Sequence, residues 1–357
     1  MGLKKAVETT GLRPQPRAIV VLGAGRSGTS AITRGLQTLG VELGDQLRPG
    51  GGKNPTGFFE DESLMKINKR LRKALGLRAE SVSLIEPHQW QTPTVQAFEQ
   101  EAKETIRRRF GAYSLWGYKY AGTLRLLPFW RRVFHSLALD VRYVMAVRNP
   151  ISVAQSRAKL NPQRGTQEKS DLEWLVNVVP YFREVRERPF VVVDYDLVMA
   201  DPVTQLERIA TGLDLPLTAT IKVAMQEYAD QFLNSELRHN RFTDEDLDNN
   251  LRVNNLTRDA YRWLRRLATD EINQDSPQFW QDWSRIENAL ADLGPVLRYL
   301  DQVEADLRCA QRSALGPLQA VPQMWQNLRQ NWSFTRAIAR LRLFASDFRY
   351  RRLSSDT

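Results

Sequence analysis

A short apolar strand that runs directly into a glycine-rich turn and then into a helix constrains this chain more than any other feature. The strand candidate is residues 18–22, the turn is residues 23–28, and Ile32, Leu36 and Leu39 follow at helical spacing. In such a turn, backbone N–H groups and the helix dipole together favour an anion. The segment therefore predicts the opening unit of an α/β fold, with an anion site at the end of its first strand.

The turn resembles a nucleotide-binding loop that lacks its lysine. Its pattern is Gly-x4-Gly-Thr-Ser, and Thr29 stands where the lysine of a nucleoside-triphosphate loop would be. The cation is instead Arg26, inside the turn, with the hydroxyl groups of Ser27 and Ser30 nearby in sequence. Because an arginine fork suits phosphate oxygens, the pattern favours a single phosphate-type group over a triphosphate that is hydrolysed. The alternative is an ordinary tight turn with an incidental arginine.

A second arginine marks the end of a later strand. Residues 141–147 are apolar and end at Arg148-Asn149-Pro150, and Ser156 lies two turns into the next predicted helix. Ligands of parallel sheets bind beyond the carboxyl ends of the strands, so Arg148 is expected to face that crevice. Alone this pattern is common, but the two motifs together predict two anion-binding corners on one sheet. A nucleotide phosphorylated at both its 3′ and 5′ positions would need such a pair.

Strand and helix patterns alternate along the first two thirds of the chain. Further strand candidates are residues 114–120 and 190–194, and helical patterns cover residues 60–75, 94–110, 126–137, 168–187 and 202–213. Uniformly apolar strands that alternate with helices predict a parallel sheet covered on both faces. Strand patterns stop near residue 225, and residues 244–312 have helical patterns. We therefore predict a flexible lead-in (1–16), an α/β domain (17–250) and a helical C-terminal extension (251–357).

Composition excludes several classes of protein and site. One cysteine, Cys309, cannot build a disulfide scaffold, and three separated histidines offer no metal-ligand spacing. No apolar run has membrane-spanning length, and residues 1–15 contain no secretory core, so we expect a cytoplasmic protein. The excess of 51 Lys and Arg over 41 Asp and Glu, a net charge of +10, predicts an anionic partner without identifying it.

The two anion corners together resemble those of sulfotransferases that use 3′-phosphoadenosine-5′-phosphosulfate (PAPS). The segment Arg26-Ser27-Gly28-Thr29-Ser30 is similar to the family's phosphosulfate loop, and Arg148 and Ser156 have its spacing. Residues 54–60 (Asn-Pro-Thr-Gly-Phe-Phe-Glu) look like a stretch of bacterial members. Further similar segments are residues 116–119, 127–130, 195–196 and 201–202. The likeness covers roughly residues 17–265 and departs at residues 119–122, Lys-Tyr-Ala-Gly in place of Lys-Asp-Pro-Arg.

The resemblance implies a P-loop-like sheet and PAPS as co-substrate, with the 3′,5′-bisphosphate (PAP) as product. It assigns the 5′-phosphosulfate to loop residues and the 3′-phosphate to Arg148 and Ser156; the loop residues are Gly25, Arg26, Ser27, Gly28, Thr29 and Ser30. By analogy with phosphoryl transfer, the protein's work is positioning and stabilisation of charge, and Arg26 is placed to stabilise the leaving group. We expect no metal ion to be required.

In related enzymes a glutamate deprotonates the acceptor, and Glu60 is our candidate. It could instead be an acid that complements a helix dipole, and Asp61, Glu62 and His88 are alternative bases. Lys119 is either a contact to the sulfuryl group or acceptor, or an ordinary lysine at a strand end. The segment Asp194-Tyr195-Asp196 follows the strand candidate 190–194, and we expect it to cap the next helix rather than to take part in the chemistry.

Family analogy alone suggests a carbohydrate or glycolipid hydroxyl as acceptor. The alternatives are a divergent P-loop nucleotide kinase, which the missing lysine disfavours, and a non-enzymatic module that binds nucleotide or nucleic acid. Basic charge alone supports that module, because no nucleic-acid motif is recognisable. The sequence does not determine the oligomeric state.

The C-terminal segment 334–352 combines six arginines with one acid and has an apolar face at helical spacing. Such a basic amphipathic segment fits two roles. It either packs on the domain or a partner, or lies on an anionic membrane surface, which would place the protein at the inner face of the membrane.

Overall fold

In the part of the chain that the structure describes, four parallel strands form one sheet. The computed structural model describes residues 15–51, 57–233 and 242–311. The strand order is β2-β1-β3-β4, with β1 at Arg17–Leu22, β2 at Leu115–Lys119, β3 at Asp140–Val147 and β4 at Phe190–Asp194. All four predicted strands are confirmed to within two residues at each end. Apolar side chains make up most of each strand because both faces of the sheet are covered.

The strand register brings the carboxyl ends of all four strands to one edge of the sheet. Val21 of β1 lies beside Lys119 of β2, and Val147 of β3 lies beside Asp194 of β4. The chain leaves β1 for β2 on one side and then crosses to β3 on the other, so the strand order reverses around β1. A crevice outside the carboxyl ends of strands is expected where the order reverses, and the glycine-rich turn follows β1 at this place.

Helices cover both faces of the sheet. They are α1 (Thr29–Thr38), α2 (Glu62–Ala74), α3 (Pro93–Phe110), α4 (Leu127–Ser136), α5 (Pro150–Ala158), α6 (Gln167–Phe182), α7 (Tyr195–Ala200), α8 (Pro202–Gly212), α9 (Ala219–Glu227), α10 (Asp244–Asn249), α11 (Asn255–Ala268) and α12 (Pro277–Asp292). The predicted helix 60–75 begins later because the Asp61 side chain accepts a hydrogen bond from the N–H of Leu64 and caps α2. The predicted helix 168–187 ends earlier, at a 3₁₀ turn.

The chain divides into two compact units, Met1–Arg298 and Tyr299–Thr357. In the first unit, α11 packs on β4, and the Tyr261 hydroxyl donates a hydrogen bond of 2.9 Å to Asp194. Compact structure therefore continues past residue 250, where the sequence predicted the α/β domain to end. The described part of the second unit, residues 299–311, is helical.

Several sequence features lie outside the described residues. They are most of the predicted lead-in, Asn54, Pro55 and Thr56 of the similar segment, and the basic segment 334–352. Within the described ranges, none of the helices combines enough length and apolarity to cross a bilayer.

A buried carboxyl group joins α6 to the start of α11. Asp171 is 1% exposed and accepts hydrogen bonds from the N–H of Asn254 at 2.8 Å and the side-chain amide of Gln167 at 2.7 Å. Burial is the largest influence and raises the pKa of Asp171 to about 6, although both hydrogen bonds oppose it. A raised carboxyl pKa means that the folded state binds this proton more tightly than the unfolded state.

Stability due to Asp171 is therefore greatest at low pH and is lost as the pH rises from about 4 to about 6. We expect Asp171→Asn, which keeps an acceptor oxygen, to raise the free energy of unfolding relative to wild type by about 2 kcal/mol more at pH 7.5 than at pH 4.5. Urea unfolding of both proteins at the two pH values measures this difference. The same difference at both values would contradict the assignment.

Candidate active site

The turn after β1 holds its donors toward the crevice. Gly28 precedes α1 in the left-handed region at a φ of 81°, and Arg26 has a φ of 78°, which is unusual for a residue with a side chain. Among the described residues, no side chain caps α1 and its first turn carries no acid. The free N–H groups of α1 therefore remain available to an anion, and the strained backbone at Arg26 is typical of a functional loop.

Gly28 is also a point of close approach. A Cβ atom at this position would lie 2.1 Å from Cδ2 of Tyr195, the first residue after β4. We expect Gly28→Ala to destabilise the protein by roughly 1–2 kcal/mol from backbone strain alone, and by more from the clash with the ring. Gly25→Ala is the matched control, because a Cβ atom there meets nothing within 4 Å. Thermal unfolding compares the two variants, and equal melting temperatures would show that the ring does not restrict the turn.

The two predicted anion corners meet in one place. Arg26 Nε donates a hydrogen bond of 2.9 Å to Ser156 Oγ in α5, and Arg148 Nη1 lies 3.4 Å from the carbonyl oxygen of Arg26. Burial lowers the pKa of the Arg26 guanidinium, the positive charge of Arg148 lowers it further, and Tyr195 partly opposes both. The buried guanidinium group of Arg148 and the partly buried one of Arg26 repel one another, so a bound anion would stabilise both of them.

Two buried polar atoms test whether a phosphate group suits this corner. Ser27 Oγ and Arg148 Nε each lack a hydrogen-bond partner among the described residues, although Ser27 is fully buried and Arg148 is 7% exposed. Buried donors without partners are rare because each one costs free energy. Phosphate oxygens would accept hydrogen bonds from both atoms, so the residues present fit a phosphorylated ligand.

Gly25 and Thr29 complete the turn. Arg157, the residue after Ser156, lies with Nη2 3.5 Å from the carbonyl oxygen of Gly25 and pairs with buried Glu173 at 3.1 Å. Thr29 is the first residue of α1 and is 7% exposed. The predicted loop residues are therefore all at the carboxyl end of β1, where the second arginine also lies.

Tyr195 is a site residue that the sequence reasoning missed. It lies against Gly28, and its ring lies 4.5 Å from the guanidinium carbon of Arg148. The sequence favoured a helix cap over a chemical role for the segment Asp194-Tyr195-Asp196. That part is confirmed, since the Asp194 side chain accepts a hydrogen bond of 2.7 Å from the N–H of Asp196. The available signal was its position after the fourth apolar strand, because all parallel strands end at the same edge.

A second group of charges lies at the end of β2. Lys119 Nζ is 3.2 Å from Glu60 Oε1 and 3.2 Å from Ser30 Oγ. Lys119 is 2% exposed and Glu60 is 4% exposed. Burial lowers the pKa of the Lys119 ammonium, and the Glu60 carboxylate opposes part of that decrease. Lys119 is the last residue of β2 and forms a buried bridge between the anion loop and Glu60, while its contact to the sulfuryl group or acceptor stays a prediction.

Arg48 makes the second cation contact to Glu60 and was also missed. Its Nη1 is 3.4 Å from Glu60 Oε2, and its N–H donates to the Glu60 carbonyl oxygen at 2.8 Å. The guanidinium carbon lies 3.8 Å from the centre of the Phe58 ring. Arg48 belongs to an irregular loop rich in glycine and proline, where no periodic pattern indicates which side chains point inward.

The alternative bases have other environments. Asp61 caps α2 and pairs with Arg109 at 2.6 Å. Glu62 lies in the first turn of α2 with Lys66 3.7 Å away, and His88 is exposed on the 3₁₀ helix Pro87–Gln91. The acid that complements the helix dipole is thus not Glu60, which precedes the helix and points to Lys119 and Arg48.

Comparisons with known proteins agree with the sequence resemblance. A family profile described as "Sulfotransferase family" matches residues 16–219, more than half of the chain. A search of curated proteins finds no match to this sequence. The chain is similar to the solved sulfotransferase STF9 from Mycobacterium avium, with 17% identity, a TM-score of 0.37 and coverage of 64% of this chain and 70% of that one. It is also similar to the sulfotransferase domain of the olefin synthase from Synechococcus PCC 7002, with 14% identity, a TM-score of 0.35 and coverage of 78% and 96%.

Proposed function

Since the chain belongs to the sulfotransferase family and is a PAPS-dependent enzyme, we propose that Glu60 deprotonates the acceptor hydroxyl while Lys119 and Arg26 stabilise the transferred sulfuryl group. The observation that carries this proposal is the position of Lys119, whose ammonium lies 3.2 Å from both Glu60 and Ser30. The Lys119 side chain therefore links the loop that would hold the anion to the carboxylate that would take the proton.

The reaction exchanges one sulfur–oxygen bond for another. The acceptor oxygen bonds to sulfur as the bond between sulfur and the 5′-phosphate oxygen breaks, and the hydroxyl proton moves to Glu60. Charge on the sulfuryl oxygens faces Lys119, and charge that develops on the leaving phosphate faces Arg26 and the N–H groups of α1. Cations supplied by the protein support a mechanism that needs no metal ion.

The donor would occupy the corner that Arg26, Arg148 and Ser156 form. Loop residues 25–30 would hold the 5′-phosphosulfate, and Arg148 with Ser156 would hold the 3′-phosphate. Among the described residues, Ser27 Oγ and Arg148 Nε have no hydrogen-bond partner, and this supports the assignment because each could donate to a phosphate oxygen. The Ser156 hydroxyl accepts a hydrogen bond from Arg26. If the same hydroxyl contacts the 3′-phosphate, it would also link the binding sites of the two phosphate groups.

A carbohydrate or glycolipid hydroxyl remains our proposed acceptor. It is supported by the likeness of the sequence to bacterial sulfotransferases of the carbohydrate type. The replacement of the family's acid and arginine by Tyr120 and Gly122 places an aromatic ring beside Lys119. The acceptor surface therefore differs chemically from that of those relatives.

An acceptor screen with radiolabelled PAPS tests the proposed function. We expect label to move to at least one saccharide or glycolipid with release of PAP, and isothermal titration to show that PAP binds. A chain that binds no PAP and transfers no label would contradict the proposal. ATP turnover under the same conditions would instead favour a nucleotide kinase.

A further inference from the structure

A buried arginine at the end of α5 has no part in the proposed reaction, although it contacts the anion loop. Arg157 follows Ser156 directly and is 8% exposed. Its Nη1 atom donates a hydrogen bond of 3.1 Å to the carbonyl oxygen of Ser170 and lies 3.1 Å from Glu173 Oε2, both in α6. Its Nη2 atom lies 3.5 Å from the carbonyl oxygen of Gly25. One guanidinium group therefore connects α5 and α6 to the backbone of the loop.

The ion pair with Glu173 does not by itself explain why this arginine is buried. Glu173 is 1% exposed and already accepts two hydrogen bonds from Arg164, 2.9 Å from Nε and 2.6 Å from Nη2. Such a two-bonded contact is sufficient to balance one carboxylate. Burial lowers the pKa of the Arg157 guanidinium, Glu173 opposes this, and the charge of Arg164 lowers the pKa further. A second buried cation is therefore costly at this place, and its other contacts indicate what it does.

The contact with Gly25 determines which way a peptide group of the loop faces. The described peptide bonds are trans, and in a trans peptide the N–H points away from the carbonyl oxygen. Because the Gly25 carbonyl oxygen faces Arg157, the N–H of Arg26 is directed to the opposite side. The next carbonyl oxygen, that of Arg26, lies 3.4 Å from Arg148 Nη1. Both peptide groups that flank the left-handed φ of Arg26 therefore contact a buried arginine.

From these contacts we infer that Arg157 is a positioning residue for the 5′-phosphate. It holds the Gly25–Arg26 peptide group in the orientation in which the loop binds that phosphate, rather than contacting the nucleotide. The inference rests on the proposed function, because it requires loop residues 25–30 to hold the 5′-phosphosulfate. A strained backbone persists only where its surroundings hold it, and a φ of 78° at Arg26 is such a conformation. Without Arg157, phosphate binding must also order this peptide group, so affinity falls.

The shape of the guanidinium group suits this role. Its donors form a rigid planar fork, so Nη1 can face Glu173 and Ser170 while Nη2 faces the Gly25 carbonyl oxygen. A lysine side chain has one nitrogen atom for all of these acceptors. The positive charge alone therefore cannot replace the arginine.

Isothermal titration with PAP, adenosine 5′-phosphate and adenosine 3′-phosphate tests the inference. We expect Arg157→Met to bind adenosine 5′-phosphate about tenfold more weakly than wild type, the size of one charge-assisted contact. Its affinity for adenosine 3′-phosphate should stay close to that of wild type. PAP, which carries both phosphates, should lose the same factor as adenosine 5′-phosphate. A merely structural role of Arg157 would weaken the binding of both mononucleotides alike.

Arg164→Met is the matched control, because it removes a cation from the same buried carboxylate. Arg164 donates hydrogen bonds to Glu173 and to the carbonyl oxygen of Ala79, so this variant should bind both mononucleotides as wild type does. Arg157→Lys keeps the charge beside Glu173 in case Arg157→Met does not fold, and it should show the same selective loss.

Three results overturn the inference alone. They are equal losses for the two mononucleotides in the Arg157 variants, the same loss in Arg164→Met, and unchanged affinity for adenosine 5′-phosphate in each Arg157 variant that folds. Wild-type protein that fails to bind PAP contradicts the proposed function, and the inference with it.

Discussion

Glu60→Gln is expected to lower the rate of sulfuryl transfer about a hundredfold to ten-thousandfold, the usual contribution of a positioned base. Glutamine keeps the size of the side chain but cannot accept the hydroxyl proton. The donor corner, which is built from Arg26, Arg148 and Ser156, does not contain Glu60. PAP should therefore bind with an affinity close to that of wild type. Transfer of label from PAPS and isothermal titration with PAP measure the two properties separately.

The substitution also removes the carboxylate partner of buried Lys119. Breaking one side of a buried ion pair costs about 3–5 kcal/mol, so part of any loss of activity could come from instability. PAP affinity reports whether the variant is folded, and Glu60→Gln combined with Lys119→Met removes both charges together. Glu62→Gln is the matched control, since Glu62 is on the outer face of α2 and pairs only loosely with Lys66. Turnover close to wild type in folded Glu60→Gln would eliminate Glu60 as the base.

Arg148→Ala is expected to weaken PAP binding by about a hundredfold, because a buried charge-assisted contact to phosphate is lost. Arg148 follows β3, and its guanidinium lies over the Tyr195 ring. Its Nε atom has no hydrogen-bond partner in the part of the chain that the structure describes. If it binds the 3′-phosphate, the loss must disappear for a nucleotide that lacks this phosphate. Isothermal titration with PAP and with adenosine 5′-phosphate compares the two ligands directly.

The control for general effects of charge is Arg132→Ala. Arg132 pairs with Glu99 at 2.6 Å and is half-exposed on α4. This variant should bind both nucleotides as wild type does. Equal losses of affinity for both nucleotides in Arg148→Ala would refute the assignment to the 3′-phosphate and would indicate that Arg148 supports the loop through the carbonyl oxygen of Arg26 instead.

Local patterns were sufficient to predict the parts of the site that follow strands. Apolar runs predict buried parallel strands, and parallel strands end at one edge, so the sequence alone places Arg26 and Arg148 together. The same argument would have identified Tyr195, which follows β4, but the acids on either side of it favoured a helix cap over a chemical role. Glu60 and Lys119 were predicted as separate candidates, and no spacing in the sequence links them.

The residues that sequence reasoning missed lie in irregular segments or depend on long-range contacts. Arg48 is in a loop without periodicity, so its direction depends on Phe58 and on the carbonyl group of Glu60.

By itself, the sequence determined the class of fold, the succession of strands and helices along the chain, and the anion-binding turn. These follow from hydrophobic periodicity and from glycine and arginine at fixed local positions. The tertiary structure alone decided that Ser156 contacts Arg26 and that Lys119 bridges Ser30 and Glu60. Local conformation depends on neighbours in the chain, whereas these contacts join residues far apart in sequence and form only when the sheet brings its strand ends to one edge.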